Sequence, residues 1–264
     1  MKSPEKVVKH IINWLKKYAK QSEMKGFVVG VSGGIDSAVT STICAMTGLP
    51  LLCLEMEIYQ QKKQVSDARN HISWLEKKFN NVTHQNLSLT SVFENFIEKL
   101  PKTDKKEKAL LSLANTRSRL RMTTLYYFST LNELLVIGTG NKVEDFGVGF
   151  FTKYGDGGVD LSPIADLLKS QVYEIAKYLK INDSIQNAIP TDGLWDDGRS
   201  DLDQLGLNYD QIEWAMDKIE SKESINEMSE EESRIMKIYL KYNNQNQHKM
   251  NTIPICEIPK ELLT

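Results

Sequence analysis

The chain has 264 residues, of which 41% are hydrophobic and 26% are charged, and its formal net charge is −2. This is the composition of a globular protein with a sizeable core, and the length fits a single α/β domain spanning residues 1–264. The charge argues against a nucleic-acid partner, because proteins of that class usually carry a basic surplus. No apolar run approaches the ~20 residues of a membrane span. Since Cys44, Cys53 and Cys256 stand at no metal-ligand spacing, we expect reduced thiols and a cytoplasmic protein with no membrane partner.

Strand and helix patterns alternate along the chain. A capping Ser3 followed by Pro4 predicts a first helix that ends near Lys20. Apolar runs predict strands at 26–31, 51–56, 81–87 and 134–140. Helical spacing predicts further helices at 36–47, 61–79, 91–100, 109–132, 166–180, 209–220 and 229–242. The alternation predicts a doubly wound parallel sheet with helices on both faces, whose ligands bind beyond the carboxyl ends of the strands.

Three segments are predicted to lie outside this framework. The glycine-rich stretch 146–163 is expected to be a loop, and 190–208, with its acids and glycines, a mobile loop. The residues after 242 are expected to form a polar tail.

The first predicted strand ends in the segment SGGIDS, residues 32–37. Successive glycines let backbone N–H groups converge on an anion, and the following helix adds the positive end of its dipole. Asp36 repels a phosphate unless a cation lies between them, and Mg²⁺ takes oxygen ligands from protein and phosphate together. The loop therefore indicates a Mg²⁺–nucleotide site, although Asp36 or Ser37 as a simple helix N-cap is the alternative. The residues predicted to bind the nucleotide here are Gly30, Val31, Ser32, Gly33, Gly34, Ile35, Asp36 and Ser37.

This segment resembles the SGGxDS signature of the ATP-pyrophosphatase superfamily. The resemblance implies an adenine nucleotide alpha-hydrolase-like fold and cleavage of ATP between its α and β phosphates. In that chemistry a substrate oxygen is adenylated, pyrophosphate leaves, and a nitrogen or sulfur nucleophile displaces AMP. The loop lacks the lysine of a Walker A motif, as suits a site that holds the departing pyrophosphate.

A second segment, GFFTKYGDGG at residues 149–158, is similar to the signature of NAD synthetases. That resemblance extends from about residue 5 to residue 250. It implies a C–N bond-forming ligase of the ammonia-dependent type, which adenylates the nicotinate carboxylate of deamido-NAD with ATP. Ammonia then gives NAD, AMP and pyrophosphate. Because no amidase domain precedes residue 26, glutamine is not expected as the nitrogen donor.

The resemblance and the chemistry together assign roles to individual side chains. Asp36 and Glu144 are expected to share Mg²⁺ across the phosphates, and Asp36, Lys169 and Asp160 to be catalytic. Asp160 would orient the nicotinate ring or the ammonia. Further contacts to ATP are expected from Thr139, Lys169 and Thr191. The residues expected to bind deamido-NAD are Arg119, Lys153, Asp160, His248 and Lys249.

Some of these assignments have alternatives. Arg119 and Arg121 point roughly 200° apart on a helix and so are not expected to form one clamp, and both also fit a solvent-facing position. His248 and Lys249 also fit a polar tail. Trp195 is either a cover over the substrate or part of a local hydrophobic contact.

The chain also departs from the NAD synthetase pattern. Met250 stands where the family has arginine, which puts one phosphate contact in doubt. Where the family usually shows Asp, a polar residue and Ala, this chain has Gly140, Asn141 and Lys142, which are expected to alter the surroundings of Glu144.

The assembly and the exact activity are left open by the residues themselves. The resemblance implies a homodimer, and the apolar stripe of the 109–132 helix is either its interface or monomer core. His10, His71 and His84 are expected to be surface or satisfied core residues.

Another superfamily enzyme, or a nucleotide-binding module without catalysis, is the alternative function, although neither explains the full GFFTKYGDGG segment.

Overall fold

A computed structural model describes residues 1–191, 193–195, 199–221 and 228–263. Its centre is a parallel sheet of four strands, β1 (Gly26–Gly30), β2 (Leu51–Glu57), β3 (Val82–Ser88) and β4 (Leu134–Ile137), in the order β3-β2-β1-β4. The predicted parallel sheet is therefore confirmed. β4 ends at Ile137, earlier than predicted, and the next amide, that of Gly138, donates to the carbonyl of Leu161 at 2.7 Å.

Helices cover both faces of this sheet, as predicted. In chain order they are α1 (Pro4–Gln21), α2 (Ile35–Met46), α3 (Lys62–Lys78), α4 (Thr90–Ile97), α5 (Lys106–Asn132), α6 (Lys169–Leu179), α7 (Asp183–Gln186), α8 (Asp201–Leu205), α9 (Tyr209–Glu220) and α10 (Glu230–Met250). A π-helical segment, Val143–Val148, follows β4, and a 3₁₀ turn spans Lys260–Leu262. The start of α1 is as predicted, with the Ser3 side chain accepting from the amide of Lys6.

Three apolar clusters hold the layers together. Alternate side chains of β1 enter two of them, with Phe27 and Val29 facing α1, α2, α3 and α6, and Val28 facing α4 and α5. The third cluster packs α9 and α10 against the π-helical segment through Val143, Ile212 and other residues. This third cluster fixes the segment that carries Glu144.

The apolar residues of α5, predicted to be either a dimer interface or monomer core, lie in two different environments. Leu113, Leu120 and Phe128 pack against the core on the α4–α5 side of the sheet. Tyr127 and Leu131 are 62% and 63% exposed. One part of the stripe is therefore monomer core, and another part lies on the surface.

The prediction that helix 229–242 gives way to a polar tail is wrong, because α10 continues to Met250. Its last turns contact the segment after β4, where Asn243 and Asn246 donate to the carbonyls of Gly147 and Val148, each at 2.8 Å. Asparagine has a low helix propensity, so tertiary contacts rather than local preference extend this helix.

The predicted loops at 146–163 and 190–208 also contain helix. The first overlaps the π-helical segment. Within the second, Ser200 and Asp203 form a capping box that starts α8. The rest of that prediction includes residue 192 and residues 196–198, which lie outside the described residues.

His71 is a core residue between α2 and α3. Its Nε2 atom lies 2.9 Å from Ser41 Oγ, and its ring stacks on Trp74 at 5.6 Å. Burial lowers the pKa of His71 to about 4. The imidazole is therefore neutral in the folded protein at neutral pH, which is one of the two environments expected for it.

The buried imidazole should make stability depend on pH. An unfolded histidine titrates near 6.5, so below that pH the unfolded state binds a proton that the folded state refuses. The free energy of unfolding should therefore fall as the pH drops from 6.5 towards 4, by about 3 kcal/mol from this residue. Urea denaturation at pH 7 and 4.5 measures the loss. The free energy of unfolding of His71→Gln should depend less on pH than that of the parent. Equal pH slopes in parent and His71→Gln would contradict the argument.

Candidate functional site

The ends of β1 and β4 open into the same cavity, which has a volume of about 490 Å³. The SGGIDS loop forms one wall, and Thr139 and Gly140 after β4 form another. The N-terminal part of α3, the middle of α5, the segment 150–159 and the segment around Pro190 also contribute to the lining. The cavity thus lies beyond the carboxyl ends of the strands, where ligands bind in open parallel sheets.

The SGGIDS loop is shaped by its glycines and serines. Gly33 has φ +86°, and a Cβ on it would lie 2.4 Å from the carbonyl oxygen of Gln64, so this position requires glycine. The Ser37 hydroxyl donates to the carbonyl of Gly34 at 2.9 Å and accepts from the amide of Ser32 at 3.2 Å. The N-cap of α2 is Gly34, without a side-chain cap. The alternative that Asp36 or Ser37 serves as a simple N-cap is therefore wrong.

Asp36 and Glu144 meet at the ammonium group of Lys169. Lys169 Nζ lies 2.6 Å from Asp36 Oδ2 and 2.9 Å from Glu144 Oε1. Lys169 is the first residue of α6 and is only 3% exposed. Residues 36, 144 and 169, far apart in the sequence, thus form one buried group of two acids and one cation, which we call the carboxylate–lysine group.

Burial and charge act in opposite directions within the carboxylate–lysine group. Burial raises the pKa of Asp36 above its ordinary value, and the Lys169 charge offsets this only in part. Burial also acts to raise the pKa of Glu144, but Lys169 and a hydrogen bond from Tyr209 outweigh it, so that pKa is lowered. For Lys169 itself, burial is outweighed by the two carboxylates, and its pKa is raised. Glu144 and Lys169 are therefore charged at neutral pH.

The carboxylate oxygens of Asp36 and Glu144 suit Mg²⁺ as ligands. This ion is commonly held by one or two carboxylates together with substrate phosphates and water. In the part of the chain that the structure describes, no three His, Cys, Asp or Glu side chains form a metal-binding group. A site that borrows phosphate oxygens fits these two acids better than a closed protein cage does.

Asn141 links the two acids, a role that sequence reasoning missed. Its side chain is fully buried; Nδ2 donates to Asp36 Oδ1 at 3.0 Å, and Oδ1 accepts from the amides of Val143 and Glu144, both at 3.1 Å. An asparagine that accepts from amides two and three residues ahead caps a helical segment, and this pattern is the signal that the sequence offered. Of the three departures at 140–142, Lys142 instead points to the surface and pairs with Glu220 at 2.7 Å.

Gly140 makes room for a further acid, Asp145. A Cβ at position 140 would lie 2.1 Å from Asp145 Oδ2. Burial, followed by the charges of Glu144, Asp156 and Asp36, raises the pKa of Asp145 to about 8. The glycine at this departure from the family pattern therefore leaves the space that this carboxyl group occupies.

This contact predicts strong coupling between positions 140 and 145. Gly140→Ala should lower the free energy of unfolding by about 1–3 kcal/mol, because the added methyl group overlaps the carboxyl group. In an Asp145→Ala background the same substitution should cost less than about 0.5 kcal/mol, since the overlap is gone. Urea denaturation of the parent, the two single variants and the double variant measures the coupling. Equal costs of Gly140→Ala in both backgrounds would rule the contact out as the reason for glycine.

The remaining residues predicted to contact ATP lie at the cavity. Thr139 lines it, as does Thr191, whose hydroxyl donates to the carbonyl of Arg199 at 3.0 Å. Arg121 also lines it and donates through Nε to the carbonyl of Met56 at 3.0 Å. Arg119 contacts a different element, so the two arginines diverge as predicted.

Four of the five residues predicted to bind deamido-NAD, all except Asp160, form a second group away from the cavity lining. Arg119 donates from Nε and Nη2 to the carbonyl of Lys153 at 3.3 and 3.2 Å. Lys153 donates to the carbonyl of His248, and Lys249 donates to that of Phe151 at 2.8 Å. These contacts join α5, the GFFTKYGDGG segment and the end of α10 into one patch, which we call the basic patch.

Asp160 is held separately from the carboxylate–lysine group. Its Oδ1 accepts from the Tyr126 hydroxyl at 3.0 Å and its Oδ2 from the amide of Val136 at 2.8 Å. Asp160 is exposed and lies outside the cavity lining, although its neighbour Val159 is part of it. The structure thus places Asp160 at the edge of β4 and does not bring it to Asp36 and Lys169.

Trp195 makes polar contacts with residues of its own segment. Its Nε1 donates to Gln204 Oε1 at 2.7 Å, and the Arg199 guanidinium stacks on its ring at 4.2 Å. Trp195 does not belong to the cavity lining, whereas its neighbour Leu194 does.

Comparison with known proteins identifies the family. The model of the NAD synthase family matches residues 7–253. The chain belongs to the NAD synthase family. The predicted resemblance to NAD synthetases is therefore confirmed, and members of this family provide the comparisons that follow.

Two curated members show how far the likeness extends. The NH(3)-dependent NAD(+) synthetase of Syntrophomonas wolfei is 34% identical over 263 residues, which cover 98% of this chain and 99% of that protein. The NH(3)-dependent NAD(+) synthetase of Carboxydothermus hydrogenoformans is 36% identical over 214 residues, 79% of this chain and 84% of that one.

Solved structures share the fold. The NMN synthetase of Francisella tularensis superposes with a TM-score of 0.82 at 31% identity and covers 97% of this chain and 99% of its own. The NH3-dependent NAD synthetase of Campylobacter jejuni gives 0.77 at 26% identity, covering 97% and 100%. The predicted doubly wound fold of the adenine nucleotide alpha-hydrolase type is confirmed. Among the described helices, none is long and apolar enough to cross a membrane.

Proposed function

We propose that this NAD synthase family member is an ammonia-dependent NAD synthetase. It is a ligase that uses ATP to adenylate the nicotinate carboxylate of deamido-NAD and then forms the amide with ammonia, giving NAD, AMP and pyrophosphate. The observation that carries the proposal is the convergence of Asp36 and Glu144 on one buried cation beside a glycine loop. The curated relatives with that activity, which cover nearly the whole chain, support it.

The chain's own residues suit the first half of this reaction. The SGGIDS loop would hold the phosphates of ATP between its backbone amides and the N-terminus of α2. Lys169 would neutralise phosphate charge that develops as pyrophosphate leaves, and its environment keeps it charged. Asp36 and Glu144 would hold Mg²⁺, which, when bound, supplies the positive charge that polarises the α-phosphate. Thr139 and Thr191, which both line the cavity, would add hydrogen bonds to the nucleotide.

The basic patch would hold the anionic part of the second substrate. Arg119, Lys153 and Lys249 bring three cations together, and His248 stands beside them on α10. Phosphate groups are bound by such sets of cations. Asp160, held by hydrogen bonds from Tyr126 of α5 and from the Val136 amide of β4, would orient the nicotinate ring or the incoming ammonia from the edge of the sheet.

The proposal includes a homodimer in the cytoplasm. The exposed apolar residues of α5, among them Leu110, Tyr127 and Leu131, would form a surface that a second copy covers. Cys44 and Cys53 are buried free thiols, which suit a reducing compartment. Light scattering after size-exclusion chromatography tests the dimer, and a Tyr127→Lys, Leu131→Lys double variant should shift it to monomer. A monomeric parent would remove this part of the proposal.

Pyrophosphate release tests the activity. Protein, ATP, Mg²⁺, deamido-NAD and ammonium are combined, and each component is omitted in turn. Pyrophosphate release should require every component. The one exception is ammonium: if water hydrolyses the adenylate slowly, a slow release should persist when ammonium alone is omitted. NAD should accumulate in step with pyrophosphate when ammonium is present. Turnover without deamido-NAD, or none with every component, would contradict the proposal.

A second candidate is synthesis of NMN from the corresponding mononucleotide acid. It is favoured by the structural likeness to the Francisella tularensis NMN synthetase and by Met250, which replaces an arginine that the family pattern places near the dinucleotide. A mononucleotide carries one phosphate group fewer, so it needs fewer cationic contacts. The ratio of kcat/KM for deamido-NAD to that for nicotinate mononucleotide decides between the candidates. A ratio above 10 supports NAD synthesis, and a ratio below 0.1 supports NMN synthesis.

A further inference from the structure

Tyr209 contacts the carboxylate–lysine group from a separate layer of the fold. It is the first residue of α9, and its hydroxyl donates to Glu144 Oε1 at 2.6 Å. Lys169 Nζ contacts the same oxygen at 2.9 Å and also lies 4.7 Å from the centre of the Tyr209 ring. One tyrosine thus contacts the acid through its hydroxyl and the cation through its ring.

The hydroxyl of Tyr209 is itself held in place. Asp201 Oδ2 accepts from the same hydroxyl at 2.7 Å, so its one proton lies between the carboxylates of Glu144 and Asp201, and Asp201 is only 5% exposed. The Asp201 amide donates to the carbonyl of Pro190 at 3.0 Å, next to Thr191 in the cavity wall. The ring packs with the cluster that joins α9 and α10 to the π-helical segment. Tyr209 therefore has little freedom to turn away from Glu144.

We propose that Tyr209 is a positioning residue that fixes the Glu144 carboxylate for binding of a divalent cation. This inference rests on the proposed function only in that it assumes a Mg²⁺–nucleotide site at Asp36 and Glu144. Glu144 has two oxygens, and the hydrogen bond to Oε1 sets the direction in which Oε2 faces. A hydrogen bond to a carboxylate is charge-assisted, so it restrains the rotamer strongly. Hydrogen bonds of this kind to metal ligands commonly change metal affinity or activity by about 10–100-fold when they are lost.

Tyr209→Phe isolates the hydroxyl, because it keeps the ring and its contact with Lys169. The matched control is Tyr242→Phe in α10, which removes a hydroxyl that donates to the carbonyl of Gln204 at 2.9 Å, outside the cavity lining. Each variant removes one partly buried hydroxyl, and Tyr209→Phe should lose more stability because its hydroxyl contacts two carboxylates rather than a backbone carbonyl. Only Tyr209→Phe should alter the response to the cation.

The readout is thermal stabilisation by Mg²⁺ at a fixed saturating concentration of α,β-methylene-ATP, which needs no turnover. The Mg²⁺ concentration for half of the stabilisation should rise about 10-fold or more in Tyr209→Phe and stay within about 2-fold of the parent in Tyr242→Phe. A Mg²⁺ midpoint in Tyr209→Phe within 2-fold of the parent, even with lower basal stability, would show a merely structural role and overturn the inference. A parent that shows no Mg²⁺-dependent stabilisation would overturn it as well.

The experiment separates this inference from the proposed function. Stabilisation by Mg²⁺ and the ATP analogue does not depend on deamido-NAD or ammonium, whereas pyrophosphate release does. If the parent binds Mg²⁺–nucleotide but forms no NAD, the proposed function fails and the role of Tyr209 is still decided by the two variants. The same Mg²⁺ midpoint read from pyrophosphate release in an active parent should agree with the thermal result, and disagreement would count against positioning.

Discussion

Lys169→Met is expected to lower the free energy of unfolding by about 3–5 kcal/mol and to abolish pyrophosphate release. The substitution keeps an unbranched side chain of similar length but leaves Asp36 and Glu144 together in a buried site without their cation. Breaking a buried ion pair from one side costs this much because the remaining charge is left uncompensated. The 2.6 and 2.9 Å contacts of Nζ indicate that both carboxylates depend on it.

Urea denaturation at pH 7 in the presence of EDTA measures the loss. The control is Lys142→Met, because the ammonium of Lys142 pairs with Glu220 at the surface, where an ion pair contributes less than about 1 kcal/mol. Added Mg²⁺ should restore more stability to Lys169→Met than it adds to the parent, since the two acids then lack a competing ammonium. A loss below about 1 kcal/mol, or no difference in the response to Mg²⁺, would contradict the assignment of Lys169 as their counter-ion.

The strands and the glycine loop were predictable because their signals are local. A parallel strand covered on both faces reads as a continuous apolar run, and β1 and β2 were found in this way. The loop was recognisable because Gly33 must adopt positive φ and approach the backbone of α3 closely. The proximity of Asp36 and Glu144 was predictable because the carboxyl ends of neighbouring parallel strands meet at one edge of the sheet.

The elements that were missed depend on contacts distant in sequence. The end of α10 is set by Asn243, Asn246 and Lys249, whose partners lie nearly a hundred residues earlier, and no local pattern reports such hydrogen bonds. Tyr209 reaches Glu144 across 65 residues, so its place in the site follows from how α9 packs. In each case the role of the residue follows from tertiary contacts, because its own preference for helix or loop did not indicate that role.

The position of Lys169 shows a different limit of sequence reasoning. The resemblance gave it a phosphate partner, and the structure pairs it with the two acids that were expected to hold Mg²⁺. The two roles are compatible in charge, because a divalent cation and an ATP polyphosphate would arrive together. With a divalent cation held by Asp36 and Glu144, Lys169 would neutralise phosphate charge, and the Mg²⁺ response of Lys169→Met described above tests this double role.

Asp36→Asn is expected to reduce adenylation by at least about 1,000-fold, which is about 4 kcal/mol of transition-state stabilisation, because it removes a charged oxygen ligand of the proposed Mg²⁺ site. The loss of stability should be smaller than for Lys169→Met, about 1–2 kcal/mol, for two reasons. Lys169 keeps Glu144 as a partner, and burial already penalises the charge of Asp36, as the raised pKa of that carboxyl group indicates. The side-chain amide introduced at position 36 carries an NH₂ group, which must face either Lys169 Nζ or Asn141 Nδ2. Both of these groups are themselves donors, so one hydrogen bond is lost.

Pyrophosphate release and urea denaturation of the same preparation give the two numbers for Asp36→Asn. Asp210→Asn, in the exposed first turn of α9, is the control for the same chemical change and should retain activity within about 2-fold of the parent. Activity of Asp36→Asn within about 10-fold of the parent would argue against a metal-ligand role, since loss of a ligand carboxylate should cost several kcal/mol. The comparison with Lys169→Met then separates the two functions of the carboxylate–lysine group. If Lys169 is the counter-ion and Asp36 the ligand, one variant loses stability together with activity, and the other loses mainly activity.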